Sequence, residues 1–180
     1  FPTFTLGTTY TVSVVARNAV GPSLPIVSSP FTPRTVPSAP IYQSVNPGPS
    51  SVTLSWTAPF NGGSSITEYQ VTLLPTSVTK TVTGLTSTFT DLSNGFSYTA
   101  SIVAVNSVGS STPTVSNRFI PVTNPDAPAS IVAIFQNPII SVSWPASNPQ
   151  GSPILNYIVV LINSSTIVAT QTVTGLSTIF

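Results

Sequence analysis

The sequence contains no histidine, no cysteine and no methionine, and only four Lys/Arg and three Asp/Glu among 180 residues. The missing histidine and cysteine remove imidazole bases, thiolate nucleophiles, zinc fingers and disulfide frameworks. They leave the redox compartment open, since the lack of cysteine means only that no disulfide is needed. Charged residues make up 4% of the chain, against roughly 25% in an ordinary soluble domain. A net charge of +1 from scattered cations cannot neutralise a phosphate backbone, which argues against a nucleic-acid partner. The longest apolar run, Tyr157 to Ile162, is far shorter than the ~20 residues that span a bilayer, so no membrane insertion is expected. The first residues, Phe1-Pro2-Thr3-Phe4, show neither the basic nor the apolar region of a signal peptide, and the chain reads as a fragment of something longer.

Hydroxyls stand where charges are missing: 28 serines and 27 threonines. Hydrophobic residues make up 41% of the chain and the mean hydropathy is +0.39, enough apolar surface for a core and too much for a disordered chain.

The chain repeats itself at a spacing of 88 residues, as from Gly7 to Gly95. In that register Tyr10, Ala16, Asn18 and Gly21 fall on Tyr98, Ala104, Asn106 and Gly109. Trp56, Gly63, Ile66 and Tyr69 fall on Trp144, Gly151, Ile154 and Tyr157, and Phe1 falls on Phe89. Near the C-terminus the register slips by three, so that Val82-Thr83-Gly84-Leu85 recurs as Val173-Thr174-Gly175-Leu176. A fixed period of this size marks a tandem array. The repeat divides the chain into the end of one unit (1–35), a complete unit (36–123) and the start of a third (124–180). The Pro-rich linkers Pro33-Arg34-Thr35-Val36-Pro37 and Pro121-Val122-Thr123-Asn124-Pro125 are short and stiff.

Within a unit the pattern is all-β. Val52, Leu54 and Trp56 alternate with Ser51, Thr53 and Ser55; Tyr69, Val71 and Leu73 alternate with Gln70 and Thr72. Tyr98, Ala100, Ile102 and Ala104 do the same, which is the period of a half-buried strand. Asn61-Gly62-Gly63, Thr83-Gly84, Asn94-Gly95 and Val108-Gly109 supply turns between the strands. Several short strands in so few residues predict a two-sheet sandwich.

The order of these motifs resembles a fibronectin type III domain. It runs Pro37-x-x-Pro40, Val52-Thr53-Leu54-Ser55-Trp56, Gly62-Gly63-x-x-Ile66-x-x-Tyr69, Leu92-x-x-Gly95-x-x-Tyr98 and Ala104-x-Asn106-x-x-Gly109. The resemblance implies tandem seven-stranded immunoglobulin-like β-sandwiches, one complete and two partial. Residues 1–35 would be strands F–G of one domain and residues 124–180 strands A–E of another. It also implies Trp56 on strand B, Tyr69 on strand C, a Leu92/Tyr98 corner before strand F, and Asn106 at the start of the F–G loop. Two departures stand out: Phe4 replaces leucine at the first corner, and Asn61 or Asn148 replaces the acidic residues common in the B–C loop.

Few residues could carry chemistry. Trp56 and Trp144 share the inward face with Val52, Leu54 and Val142 and read as core, together with Tyr69, Leu92, Tyr98 and Tyr157; Tyr10 and Tyr98 fit a tyrosine corner,. Glu68 and Asp91, the only acids of the complete unit, become Asn156 and Thr3 in the neighbouring copies, which argues against paired-carboxylate hydrolysis. Serines and threonines have no histidine to activate them, and Lys80 is the only lysine of the complete unit,. No acidic cluster suits calcium. No catalytic residue, metal site or cofactor is expected. The loops contain no Arg-Gly-Asp motif, so integrin binding does not carry over from the resemblance. Asn163-Ser164-Ser165 is an N-glycosylation sequon,, and carbohydrate binding has no motif to support it.

One strand departs from the hydroxyl-rich pattern. The outward positions Gln70, Thr72 and Leu74 of the complete unit become Ile158, Val160 and Ile162 in the third. A strand apolar on both faces predicts a covered contact. The expected role is therefore a non-catalytic structural or adhesive repeat of a longer extracellular or cell-surface protein, acting as spacer and protein-interaction scaffold. Its partners would be proteins, including copies of itself in an array or filament. Two alternatives remain open: a capsid- or tail-associated virion protein, and a spacer within a secreted polysaccharide-degrading enzyme.

Overall fold

A computed structural model describes residues 3–180; Phe1, paired with Phe89 by the repeat register, lies outside them. The described chain is all-β: its fourteen regular elements are strands, joined by turns and extended segments. It clusters into two compact units. One contains the residues up to Asn46, Thr53–Phe89 and Tyr98–Phe119; the other contains Pro47–Val52, Thr90–Ser97 and Ile120–Phe180.

In the first unit, β1 (Ser13–Val14) and β2 (Ile26–Val27) form a short antiparallel pair. Isolated bridges between Tyr10 and Phe31 and between Arg17 and Pro22 extend it. A three-stranded sheet follows, in the order β3 (Ile41–Gly48), β4 (Ser51–Thr57) and β7 (Thr86–Phe89). The turn between β3 and β4 belongs to the second unit. The larger sheet sets β6 (Val78–Val82), β5 (Ile66–Leu74), β8 (Thr99–Asn106) and β9 (Thr114–Val115) side by side in that order.

Period-2 alternation decides what these strands bury. In β4 every second residue, Val52, Leu54 and Trp56, is at most 2% exposed, and the residues between them are half-buried. In β5 the buried set is Tyr69, Val71 and Leu73; in β8 it is Ala100, Ile102, Ala104 and Asn106. Each large apolar side chain so buried contributes about 1.5–3 kcal/mol, and a one-residue slip of any strand would turn its whole set outward. The rings of Trp56 and Tyr69 meet at 5.4 Å.

Hydroxyls do two jobs. On outward faces they pair across strands, as in Thr72 with Thr79 and Ser44 with Ser55, both at 2.8 Å. Beside β8 they stand inside the backbone ladder. The Ser111 and Ser116 hydroxyls accept from the Ala104 and Ala100 N–H groups and donate to the Thr112 and Asn117 carbonyls. Ser23 and Ser28 repeat that bridge one period earlier, on Ala16 and Val12. Composition alone assigns most of these serines to solvent; Ser111 and Ser116 are instead buried.

In the second unit, β10 (Val132–Gln136), β11 (Ile139–Ser143) and β14 (Ser177–Ile179) form one sheet, and β12 (Tyr157–Asn163) pairs with β13 (Thr166–Val173). Between them Val142, Trp144 and Val159 make a small core, flanked by Ile140, Tyr157, Val173 and Phe180. Trp144 meets Tyr157 at 5.4 Å, the same spacing as Trp56 and Tyr69 one period earlier.

The two tyrosines differ at the hydroxyl. Tyr157 accepts a hydrogen bond from the Ser147 N–H at 3.2 Å. The residue equivalent to Ser147 is Pro59, which has no N–H to offer. Tyr69 is 3% exposed, and burial pushes its phenol above the ordinary value of 10.0,. The folded state therefore keeps this proton at pH values where the unfolded chain has released it. Its contribution to stability is full below pH 10 and is lost as pH rises through the folded-state value. Tyr69→Phe should flatten the alkaline fall in unfolding free energy above pH 10 and leave the neutral-pH slope unchanged, as read by denaturant titrations across that range. An identical alkaline limb in the variant would contradict the burial argument.

Candidate interaction surface

Strand β12 carries the candidate face. Inward, Val159 is buried and Tyr157 and Leu161 are half-buried; outward, Ile158, Val160 and Ile162 are 68%, 39% and 59% exposed. Their cross-strand partners on β13 are Thr172, Thr170 and Ile167. The register shifts between Leu161 and Ile162, and that irregularity brings Ile167 opposite Ile162. The exposed Ile167 and Val168 therefore lengthen the apolar stripe toward the hairpin tip. Sequence pattern alone misses these two residues, because the bulge that aligns them is visible only in the pairing. Ile158 and Val160 also border a groove of about 340 Å³ with Trp144, Tyr157, Pro128 and Ile131 along its walls. At the hairpin tip Asn163 is exposed, and Ser164 and Ser165 occupy left-handed backbone at φ 45° and 76°.

The titratable groups do not gather into a site. Glu68 accepts from the Gln70 side-chain amide at 3.0 Å, Asp91 from the Thr90 hydroxyl at 2.9 Å, and Asp126 from the Gln150 amide at 3.1 Å. Lys80 donates to the Thr88 carbonyl and lies 5.1 Å over the Phe89 ring. Among the described residues no three of His, Cys, Asp or Glu stand together as a metal site would need, and no helix is long and apolar enough to cross a membrane.

The remaining residues singled out by sequence occupy structural positions. Trp56 and Trp144 lie in the cores, and neither indole N–H has an acceptor among the described residues. Leu92 is buried and donates its N–H to the Ser50 carbonyl at 2.9 Å. Tyr98 is 6% exposed, pairs with Phe119 through the backbone and stacks on its ring at 5.8 Å. Tyr10 accepts from the Thr5 N–H at 2.9 Å.

Asn106 does more than its place at the end of β8 suggests. Its Nδ2 donates to the carbonyls of Thr35 and Asn61 at 2.8 and 2.9 Å. Its Oδ1 accepts from the N–H groups of Val108 and Gly109 at 2.8 and 3.1 Å. One buried amide thus joins the linker, the B–C loop and the F–G turn. Asn18 makes the same turn contacts to Val20 and Gly21 one period earlier. Asn106→Ala should destabilise by about 1–3 kcal/mol, since it strands the Thr35 carbonyl and the Val108 and Gly109 N–H groups, while the Asn61 carbonyl keeps the Ser64 N–H,. It should also speed hydrogen exchange at Val108 and Gly109. Stability within a few tenths of the unmodified chain would show that the amide is dispensable.

The family model "Fibronectin type III domain" matches residues 38–118. The chain is 32% identical over 171 residues to a Kelch domain-containing protein of Saccharolobus solfataricus, covering 88% of this chain and 23% of that protein. It is 34% identical over 106 residues to a Kelch domain-containing protein of Sulfurisphaera tokodaii, covering 58% of this chain and 14% of that one. The chain thus spans less than a quarter of the length of either curated relative. Among solved structures it is similar to the twitchin kinase region from C. elegans, at 26% identity and a TM-score of 0.43, covering 48% of this chain and 17% of that one. A second similar structure, described as "Structure of FN3tt mut", has 25% identity and a TM-score of 0.39, with 48% of this chain and 97% of that one covered. The alternating strands, the two sheets of β3–β9 and the matched span agree: residues 38–118 form a fibronectin type III domain.

Proposed function

We propose that this chain is a repeat segment of a longer protein outside the cell, where it acts as a spacer between other modules and presents a protein-binding stripe. The observation that carries this reading is an exchange at equivalent strand positions. Gln70, Thr72 and Leu74 give way to Ile158, Val160 and Ile162, while the threonines opposite the first two, Thr81 and Thr79, recur as Thr172 and Thr170. Exposed β-branched side chains in a row are unfavourable in water and stabilising once covered, at about 25 cal/mol per Å² of apolar area. The partner is a second copy of the chain. Its surface is nearly free of charge, so two copies meet little electrostatic repulsion. The length of the relatives supports a spacer role, in which this segment holds a Kelch domain at a distance from its attachment point. A location outside the cell accords with the hydroxyl-rich surface and the sequon at Asn163.

Val160→Thr should leave the unfolding midpoint nearly unchanged and weaken concentration-dependent self-association in analytical ultracentrifugation. Association equal to that of the unmodified chain would sink the stripe as a contact. On intact producing cells, added protease should cleave the tagged protein as readily as a known surface marker; protection equal to that of a cytoplasmic marker would rule out the location.

A further inference from the structure

The same backbone contact occurs twice, one period apart. In the first compact unit Gly63 lies against Gly7: a Cβ built on Gly63 would stand 2.3 Å from the Gly7 nitrogen and 2.7 Å from the Leu6 carbonyl carbon. In the second unit Gly151 lies against Gly95: a Cβ on Gly151 would stand 2.6 Å from the Gly95 nitrogen and 2.8 Å from its Cα. All four glycines have φ between 80° and 91°, a conformation that disfavours any side chain. The surrounding hydrogen bonds are also duplicated. Gly7 and Gly95 donate to the Pro33 and Pro121 carbonyls, each at 2.9 Å. The linker residues Thr35 and Thr123 donate to the Gly62 and Gln150 carbonyls at 2.8 and 3.3 Å. Ser38 and Asp126 donate to Phe60 and Asn148 at 2.9 and 3.1 Å.

We propose that this glycine-on-glycine knuckle, strapped by its linker, is a docking joint that locks each repeat onto the next, and that its recognised partner is another repeat bearing the same glycine pair. The corner before one repeat's F strand supplies one glycine, and the B–C loop of the following repeat supplies the other. Because backbone faces backbone, no side-chain rotamer can relieve an added methyl, so the joint must open to admit one. A linker whose N–H groups are bonded to the B–C loop has lost the freedom of a tether. The second joint adds a polar clasp. The Gln150 amide donates to both carboxylate oxygens of Asp126 at 3.1 Å, and its Oε1 accepts from Asn94 at 3.3 Å. Asn94 in turn accepts from the Ser50 N–H at 2.9 Å. The first joint has Gly62, Ser38 and Leu6 at the corresponding positions and therefore lacks this clasp. The proposal deepens the spacer reading: a spacer built on such joints holds its flanking modules at a set separation.

The absence of native cysteine makes paired spin labels straightforward. Cysteines at the exposed positions Thr11 and Thr81 report on the first joint, and cysteines at Thr90 and Thr170 report on the second. Both pairs should give narrow distance distributions by electron–electron resonance. Gly63→Ala should broaden and shift only the first, and Gly151→Ala only the second. Gly84→Ala, with open space around it, should change neither. Gln150→Ala adds no atom at the joint and should broaden the second distribution without unfolding, so a Gly151→Ala chain that fails to fold still leaves the test decisive. Broad distributions in the unmodified chain, or narrow ones that persist in both Gly151→Ala and Gln150→Ala, would overturn the joint. Neither result would touch the stripe on β12, whose test is self-association.

Discussion

The buried amide of Asn106 holds together parts of the fold that no strand pairing connects. Its two donors and one acceptor are committed to the linker carbonyl at Thr35, the loop carbonyl at Asn61 and the turn amides at Val108 and Gly109. A buried carbonyl without a partner costs about as much as the net gain from one or two ordinary hydrogen bonds. The side chain therefore fixes where the linker runs, and the linker fixes where Gly62 and Gly63 stand. The close approach of Gly63 to Gly7 depends on that placement. A neutral amide suits the task better than a carboxylate, because it donates and accepts at once in a site with little water.

This reliance on uncharged groups extends across the molecule. Ion pairs elsewhere often hold loops and strand edges, but here hydroxyls and amides do so. Cross-strand hydroxyl pairs cover the outward faces, and serines bridge the ladder beside β8. Such contacts are short-ranged and nearly indifferent to salt, whereas surface ion pairs weaken with ionic strength. The low charge thus has a structural counterpart: the surface is organised by directional bonds that work at contact distance and leave little long-range field to keep neighbours apart.

The strands and their inward faces were legible because alternation is a local signal. Val52, Leu54 and Trp56 declare their face within a single short run, and the 88-residue repeat confirms the pattern by repetition. What could not be read depends on partners distant in sequence. Asn106 is recognisable as a recurring residue, but its bonds reach back to Thr35 and Asn61. Ser111 and Ser116 look like any other hydroxyls until the ladder they complete is seen. Ile167 joins the stripe only through a register shift between Leu161 and Ile162. The recurring glycines announce a backbone requirement without naming the surface each one faces.

Repetition also separates constraint from freedom. Gly7, Gly63, Gly95 and Gly151 keep their identity and their left-handed backbone, as a backbone-to-backbone contact demands. Gly62 does not: Gln150 stands in its place, at φ 50°, and pays for the conformation with bonds to Asp126 and Asn94. At Gly62 an added Cβ would stand 2.3 Å from the Thr35 carbonyl, so the linker must run differently past Gln150, consistent with the longer bond from Thr123. The outward positions of strand C change character, from Gln70 and Thr72 to Ile158 and Val160, while the inward Tyr69 and Val71 recur as Tyr157 and Val159. Differences between copies therefore take two forms: at Gln150 the fold compensates with new bonds, and at Ile158 and Val160 the inward packing leaves the outward residue open.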